Sequence, residues 1–152
     1  MPVNKVAVEK SKDLGRFSDI SIKYPLTILV VEDNVINQKL ITNLFKLLGY
    51  KVDLAANGKE AVDVLKGKYY DLIFMDIQMP VMNGYESTKM IIEHWKEERP
   101  VIIAITANAL AGDRDKCLEA GMVDYITKPI NIDALTQIIQ YWGDRKIRHE
   151  EG

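Results

Sequence analysis

The sequence predicts a doubly wound α/β domain, with five short parallel strands in one sheet and helices packed on both faces. Three observations carry that expectation. Short apolar runs recur along the chain without the alternation of a half-exposed strand, as strands buried on both faces do. Between them lie stretches whose apolar residues return at helical spacing. Glycine, proline or Asn-Gly punctuates the junctions, so the connections are short.

Residues 1–24 are rich in lysine and acid and weakly periodic, and read as a linker or N-terminal extension. Pro25 can open a strand, and residues 26–31 form the first, which runs straight into Glu32-Asp33-Asn34. In the helix that follows, Asn37, Leu40, Ile41, Leu44, Phe45 and Leu48 share one face, and Gly49 stops it. Residues 51–55 make a shorter second strand. Asn57-Gly58 then turns into a helix with Ala61, Val62, Val64 and Leu65 on its apolar side, as far as Gly67. The third strand, residues 72–75, ends on Asp76, and Pro80 halts regular structure soon after.

Asn83-Gly84 opens a helix expected to turn Met90, Ile91 and Trp95 inward. Pro100 precedes the fourth strand, residues 101–105, which ends on Thr106. A small-residue stretch, 107–112, leads into a helix closed by Gly121. Residues 123–126 are a brief fifth strand, followed by Thr127-Lys128-Pro129. The final helix carries Ile132, Leu135, Ile138, Ile139 and Trp142 as one stripe. Beyond Gly143, residues 144–152 are expected to be a charged, fraying tail, which leaves 25–143 as the domain. Right-handed crossovers permit few topologies for this pattern. The common one at this size is the flavodoxin-like order 2-1-3-4-5, in which strands one and three meet at the switch point where open sheets place their chemistry.

With 152 residues the chain suits one domain with a proper core. A formal net charge of −2 gives no reason to expect nucleic acid or an anionic membrane surface as a partner. The single cysteine, Cys117, excludes an internal disulfide and a cysteine metal cage, and fits a reducing compartment. No apolar run approaches spanning length and no signal-peptide core opens the chain. A cytoplasmic location is expected, either free or as the cytosolic part of a longer membrane-bound protein.

Asp76 taken alone reads more readily as a loop aspartate capping the next helix. What changes the reading is convergence. Glu32, Asp33 and Asp76 all leave strands one and three at the switch point, and like charges there repel unless something neutralises them. A hard divalent cation would, since magnesium takes oxygen ligands and keeps several waters; solvated loop acids are the bland alternative. Thr106 and Lys128 leave strands four and five on the same edge. Each alone would be an ordinary turn threonine or a solvated lysine. Together, a carboxylate, a cation site, a hydroxyl and a lysine are equipment for phosphoryl transfer onto Asp76. The Lys128-Pro129 bond is a candidate for the cis form.

Across about residues 26–142 the chain resembles the receiver domain of two-component response regulators. The resemblance rests on Glu32-Asp33, on Asp76 within Met75-Asp76-Ile77-Gln78-Met79-Pro80, and on Asn83-Gly84, Thr106-Ala107 and Lys128-Pro129. Val30-Val31-Glu32-Asp33-Asn34 and the stretch from Gln78 to Gly84 look most like receivers attached to hybrid sensor histidine kinases.

The resemblance implies that Asp76 accepts a phosphoryl group from a phosphohistidine of a histidine kinase or histidine phosphotransfer domain. It implies Mg²⁺, with Mn²⁺ as a substitute, held by Asp33, Asp76 and the Gln78 main-chain carbonyl, with Glu32 acting mostly through water. Thr106 and Lys128 would contact the phosphoryl group, and rotation of Tyr125 would be linked to Thr106. The partner would dock against the first helix, around Val35, Ile36 and Leu47. A monomer or weak dimer is expected, with no catalysis beyond its own magnesium-dependent phosphorylation and dephosphorylation. The source is a hybrid sensor kinase or, alternatively, a stand-alone single-domain regulator.

Rival chemistries fit less well. A haloacid-dehalogenase-type phosphohydrolase needs a second acid two residues after its nucleophile, where this chain has Gln78. A flavin binder would want a hydroxyl- and glycine-rich phosphate loop after the first strand, and Glu32-Asp33-Asn34 would repel the FMN phosphate. A receiver kept only for protein contacts need not fill all of these polar positions.

Overall fold

The computed structural model describes residues 19–79, 83–107 and 111–151. Strands β1 (Ile28–Val31), β2 (Asp53–Ala55), β3 (Leu72–Asp76), β4 (Val101–Thr106) and β5 (Asp124–Thr127) form one sheet. Its order is β2-β1-β3-β4-β5 and every pairing is parallel, as the sequence predicted. Helices α1 (Val35–Leu47), α2 (Gly58–Gly67), α3 (Gly84–Trp95), α4 (Ala111–Ala120) and α5 (Ile132–Glu151) connect or follow the strands. Asn34, Asn57 and Asn83 cap α1, α2 and α3, each side chain accepting from the backbone N–H three residues on.

Strand residues divide alternately between two apolar layers. Leu29, Val31, Ile73, Met75 and Ile102 pack beneath α2, α3 and α4 with Val62, Leu65, Ile91 and Cys117. Val30, Phe74, Ile103 and Ile105 pack on the other face with Ile41 and Phe45 of α1 and Leu135 and Ile139 of α5. Covering both faces is what makes the central strands β1, β3 and β4 read as unbroken apolar runs. Within the described residues no helix is long and apolar enough to cross a membrane.

Several expectations need correction. Leu40 and Met90, expected on inward faces, are exposed. The strands are shorter than the apolar runs suggested at β1 and β2, and β4 and β5 run one residue further, to Thr106 and Thr127. Residues 1–18 of the expected linker, the Pro80–Met82 part of the motif and residues 108–110 lie outside the described residues.

The two ends of the domain differ most. Ile20–Lys23 forms a helical turn, and Ile20 and Tyr24 are buried in the α1/α5 layer rather than standing apart as linker. The last helix does not stop at Gly143 but continues to Glu151. Position 143, inside the helix, suits glycine because a Cβ there would lie 2.5 Å from Tyr24 Cδ1. Removing that carbon lets the ring lie against the helix backbone, which offsets glycine's poor helix propensity. Lys146, three residues on, pairs with Asp71, whose other carboxylate oxygen accepts from Thr27 N at 2.8 Å.

Candidate functional site

Strand register assembles the site. Val31 pairs with Met75, so Glu32 and Asp76 leave neighbouring strands at one level. Asp76 pairs with Ile105 and Thr106 with Thr127, which brings Thr106 and Lys128 to the same edge. The loop bearing Lys128 is tied there by Lys128 N donating to Thr106 O at 2.8 Å, and its bond to Pro129 is cis. Gly84, the first residue of α3, sits where a Cβ would come within 2.7 Å of Asp76 O and Ile77 Cα. The Asn-Gly signal therefore has a second cause besides the cap: α3 starts against the backbone that carries Asp76.

Asp76 is buried, and both its oxygens are engaged: Gln78 N donates to Oδ1 at 2.9 Å and Lys128 Nζ to Oδ2 at 3.1 Å. Glu32 is fully buried, with Lys128 Nζ 3.7 Å from its Oε2. Its Oε1 accepts from Asn34 N and from Asn37 Nδ2, each at 3.2 Å, while Gln38 Nε2 donates to its main-chain oxygen at 2.6 Å. Among the described residues its Oε2 has no hydrogen-bond donor. Burial, and then the Asp76 carboxylate facing it, push the Glu32 carboxyl up from 4.5 to about 7. Asp33 is exposed, yet one oxygen from each of Glu32, Asp33 and Asp76 lies within 4.8 Å of the others.

The arrangement fits a divalent cation. Three carboxylates converge, Lys128 reaches two of them, Glu32 and Asp76, and a buried carboxylate oxygen without a donor is costly unless a cation or ordered water meets it. The ligand atoms are all hard oxygens, which suit magnesium or manganese and not a soft metal. Gln78 follows two residues after Asp76 with its side chain exposed.

Thr106 is buried at the end of β4. Tyr125 is half-buried on β5, opposite Ala104, with the Arg114 guanidinium 5.6 Å from its ring centre. Val35, Ile36 and Leu47 are exposed on α1, as is Leu40. Beside them a groove of about 590 Å³ runs between α1 and the loop after β5, lined by Leu40, Leu44, Leu47, Lys128, Pro129 and Ile130.

Sequence reasoning missed Asn37 and Gln38, which brace Glu32. It placed Asn37 on a packing face by periodicity alone. The available signal was two amides in the first turn of a helix entered directly from an acidic strand end.

Residues 28–140 match the response regulator receiver domain family. Over 122 residues the chain is 45% identical to hybrid signal transduction histidine kinase I of Dictyostelium discoideum, a match covering 76% of this chain and 7% of that protein. The chain thus spans under a tenth of that relative's length. The crystal structure of the receiver domain of a sensor histidine kinase from Pseudomonas aeruginosa, with magnesium coordinated in the active-site cleft, is 45% identical; its TM-score is 0.72, covering 78% of this chain and 98% of that one. The receiver domain of the Saccharomyces cerevisiae response regulator Ssk1, crystallised with the histidine phosphotransfer protein Ypd1, is 37% identical. There the TM-score is 0.75, covering 80% of this chain and 90% of that one.

Proposed function

The chain belongs to the response regulator receiver domain family of two-component phosphorelays, and on that premise we propose that Asp76 accepts a phosphoryl group from a phosphohistidine. The observation that carries this reading is the placement of Asp76: buried at the end of β3, among two further carboxylates, with Lys128 on its Oδ2.

Asp33, Asp76 and the Gln78 main-chain carbonyl would hold magnesium, with Glu32 through water. Bound there, the ion would neutralise charge building on the phosphoryl oxygens. The chain's own residues do the rest. Gln78 N–H and the Lys128 ammonium fix the Asp76 carboxylate by one hydrogen bond to each oxygen, and the oxygen that does not ligate the ion keeps a lone pair for attack on phosphorus. An O–P bond forms as the P–N bond of the phosphohistidine breaks, and the imidazole leaves with the electron pair. Lys128 and the Thr106 hydroxyl then have the transferred oxygens to bind.

The partner is a histidine kinase or histidine phosphotransfer domain seated on α1, where Val35, Ile36, Leu40 and Leu47 present an apolar surface beside the groove. Engagement of Thr106 with the acyl phosphate draws Tyr125 inward and reshapes the face made by α4, β5 and α5. The parent is a hybrid sensor kinase and the domain works in the cytoplasm; the kinship with hybrid kinases supports the first of these. Incubation with acetyl phosphate and magnesium, followed by intact-mass measurement, tests the acceptor role. Wild type gains one phosphoryl group and Asp76→Asn gains none; gain by both excludes Asp76.

A further inference from the structure

The segment that enters β1 is held by the last helix more firmly than a linker would be. Tyr24 is buried, its ring lies against Gly143, and its hydroxyl donates to Asp144 Oδ1 at 2.9 Å. Its carbonyl accepts from the Tyr50 hydroxyl, and Ser21 N donates to Leu48 O at 3.1 Å, so the same segment is also tied to the corner that follows α1. Residue 142, next to this grip, faces elsewhere: Trp142 Nε1 donates to Asp124 Oδ2 at 2.9 Å. Asp124 in turn accepts from Tyr125 N through its Oδ1 at 2.8 Å.

We infer that Ile20–Tyr24 is a transmission arm, through which the position of Tyr125 is felt by the chain N-terminal to the domain. The route is a contiguous series of contacts. A shift of the backbone at Tyr125 moves the Asp124 carboxylate that holds Trp142. Trp142 sets the rotation of that turn of α5, and the residues after it, Gly143 and Asp144, grip Tyr24. Packed elements of this kind move as units rather than deforming continuously. The direction also reverses by linkage: displacing the arm biases Tyr125. The energetic link along this route is what a double-variant comparison measures. The part of the inference that makes phosphorylation the trigger rests on the function proposed above; the contact between arm and α5 does not.

Amide hydrogen exchange at Ile22, Lys23 and Tyr24 reads the arm, because these N–H groups close its helical turn on Asp19 and Ile20. The proteins are wild type, Trp142→Phe, Tyr24→Phe and the double variant. Trp142→Phe and Tyr24→Phe should each speed exchange there by about fivefold or more, with the double variant well short of the product. Exchange in Trp142→Phe within about twofold of wild type, or multiplicative effects in the double variant, overturns the arm.

A second arm adds beryllofluoride and magnesium, with binding read at the Lys128 amide. Changed exchange at Ile22–Tyr24 in wild type but not in Trp142→Phe supports the trigger; binding with unchanged exchange in wild type overturns it. Failure of beryllofluoride to bind refutes the trigger together with the acceptor reading, while the variant series still decides the arm.

Discussion

Lys128 Nζ lies 3.1 Å from Asp76 Oδ2, a contact made across 52 residues of sequence, and the same ammonium stands 3.7 Å from Glu32 Oε2. It is the cation that holds two buried carboxylates together.

Replacing Lys128 by alanine therefore removes charge from the site and a bond from Asp76. Loss of electrostatic stabilisation at the reacting group should slow phosphotransfer by roughly 10²–10³-fold. Because Lys128 is partly exposed, the stability cost should be smaller than for a fully buried pair, about 1–2 kcal/mol. Single-turnover transfer and urea unfolding measure the two effects separately. Wild-type transfer rates in this variant would remove Lys128 from the mechanism.

Glu32 gives the metal-free protein a pH dependence of defined sign. Its carboxyl titrates near 7 when folded, against an ordinary 4.5, so between those values the folded state binds more protons than the unfolded one. Its contribution to stability is complete below 4.5 and is lost as pH rises through 7. Glu32→Gln, which cannot ionise, should exceed wild type by about 1–3 kcal/mol near pH 8 in chelator, and the margin should shrink toward about pH 5. Thermal melts at the two pH values decide it, and an equal margin at both would contradict the assignment.

Gly84→Ala should disturb the site without touching an acid. Its Cβ would meet Asp76 O and Ile77 Cα at 2.7 Å, and neither backbone atom can swing aside as a flexible side chain would. A loss of about 1–3 kcal/mol is expected, as for overpacking, with slower phosphorylation by acetyl phosphate. Unchanged urea midpoints would show that the contact relaxes at no cost.

Ile36→Asp should separate docking from chemistry. An exposed apolar residue on α1 is replaced by a charge, so transfer from a phosphohistidine protein should fall by roughly 10–100-fold while acetyl phosphate reacts normally. Equal slowing with both donors would move the docking surface elsewhere.

The sheet was legible because its central strands β1, β3 and β4 are covered on both faces, so burial wrote an unbroken apolar run for each; the edge strands β2 and β5 are partly exposed and carry Asp53 and Asp124. The site was legible for a related reason: strand ends bring distant residues to one edge, and register did the rest for Glu32, Asp76, Thr106 and Lys128. The ends of the domain were not. Ile20 and Tyr24 are isolated buried residues in a charged stretch, too few to establish a period. Gly143 read as a stop because glycine often ends helices, whereas here it makes room for Tyr24. Leu40 read as core from spacing alone; it is 59% exposed and borders the groove instead.

The most direct test of the central claim is to phosphorylate the domain from a phosphohistidine donor in magnesium, trap the acyl phosphate by borohydride reduction, and map the modified residue. The account predicts modification at Asp76 alone, abolished by chelator. Modification at any other residue, or transfer that persists undiminished without a divalent cation, would contradict it.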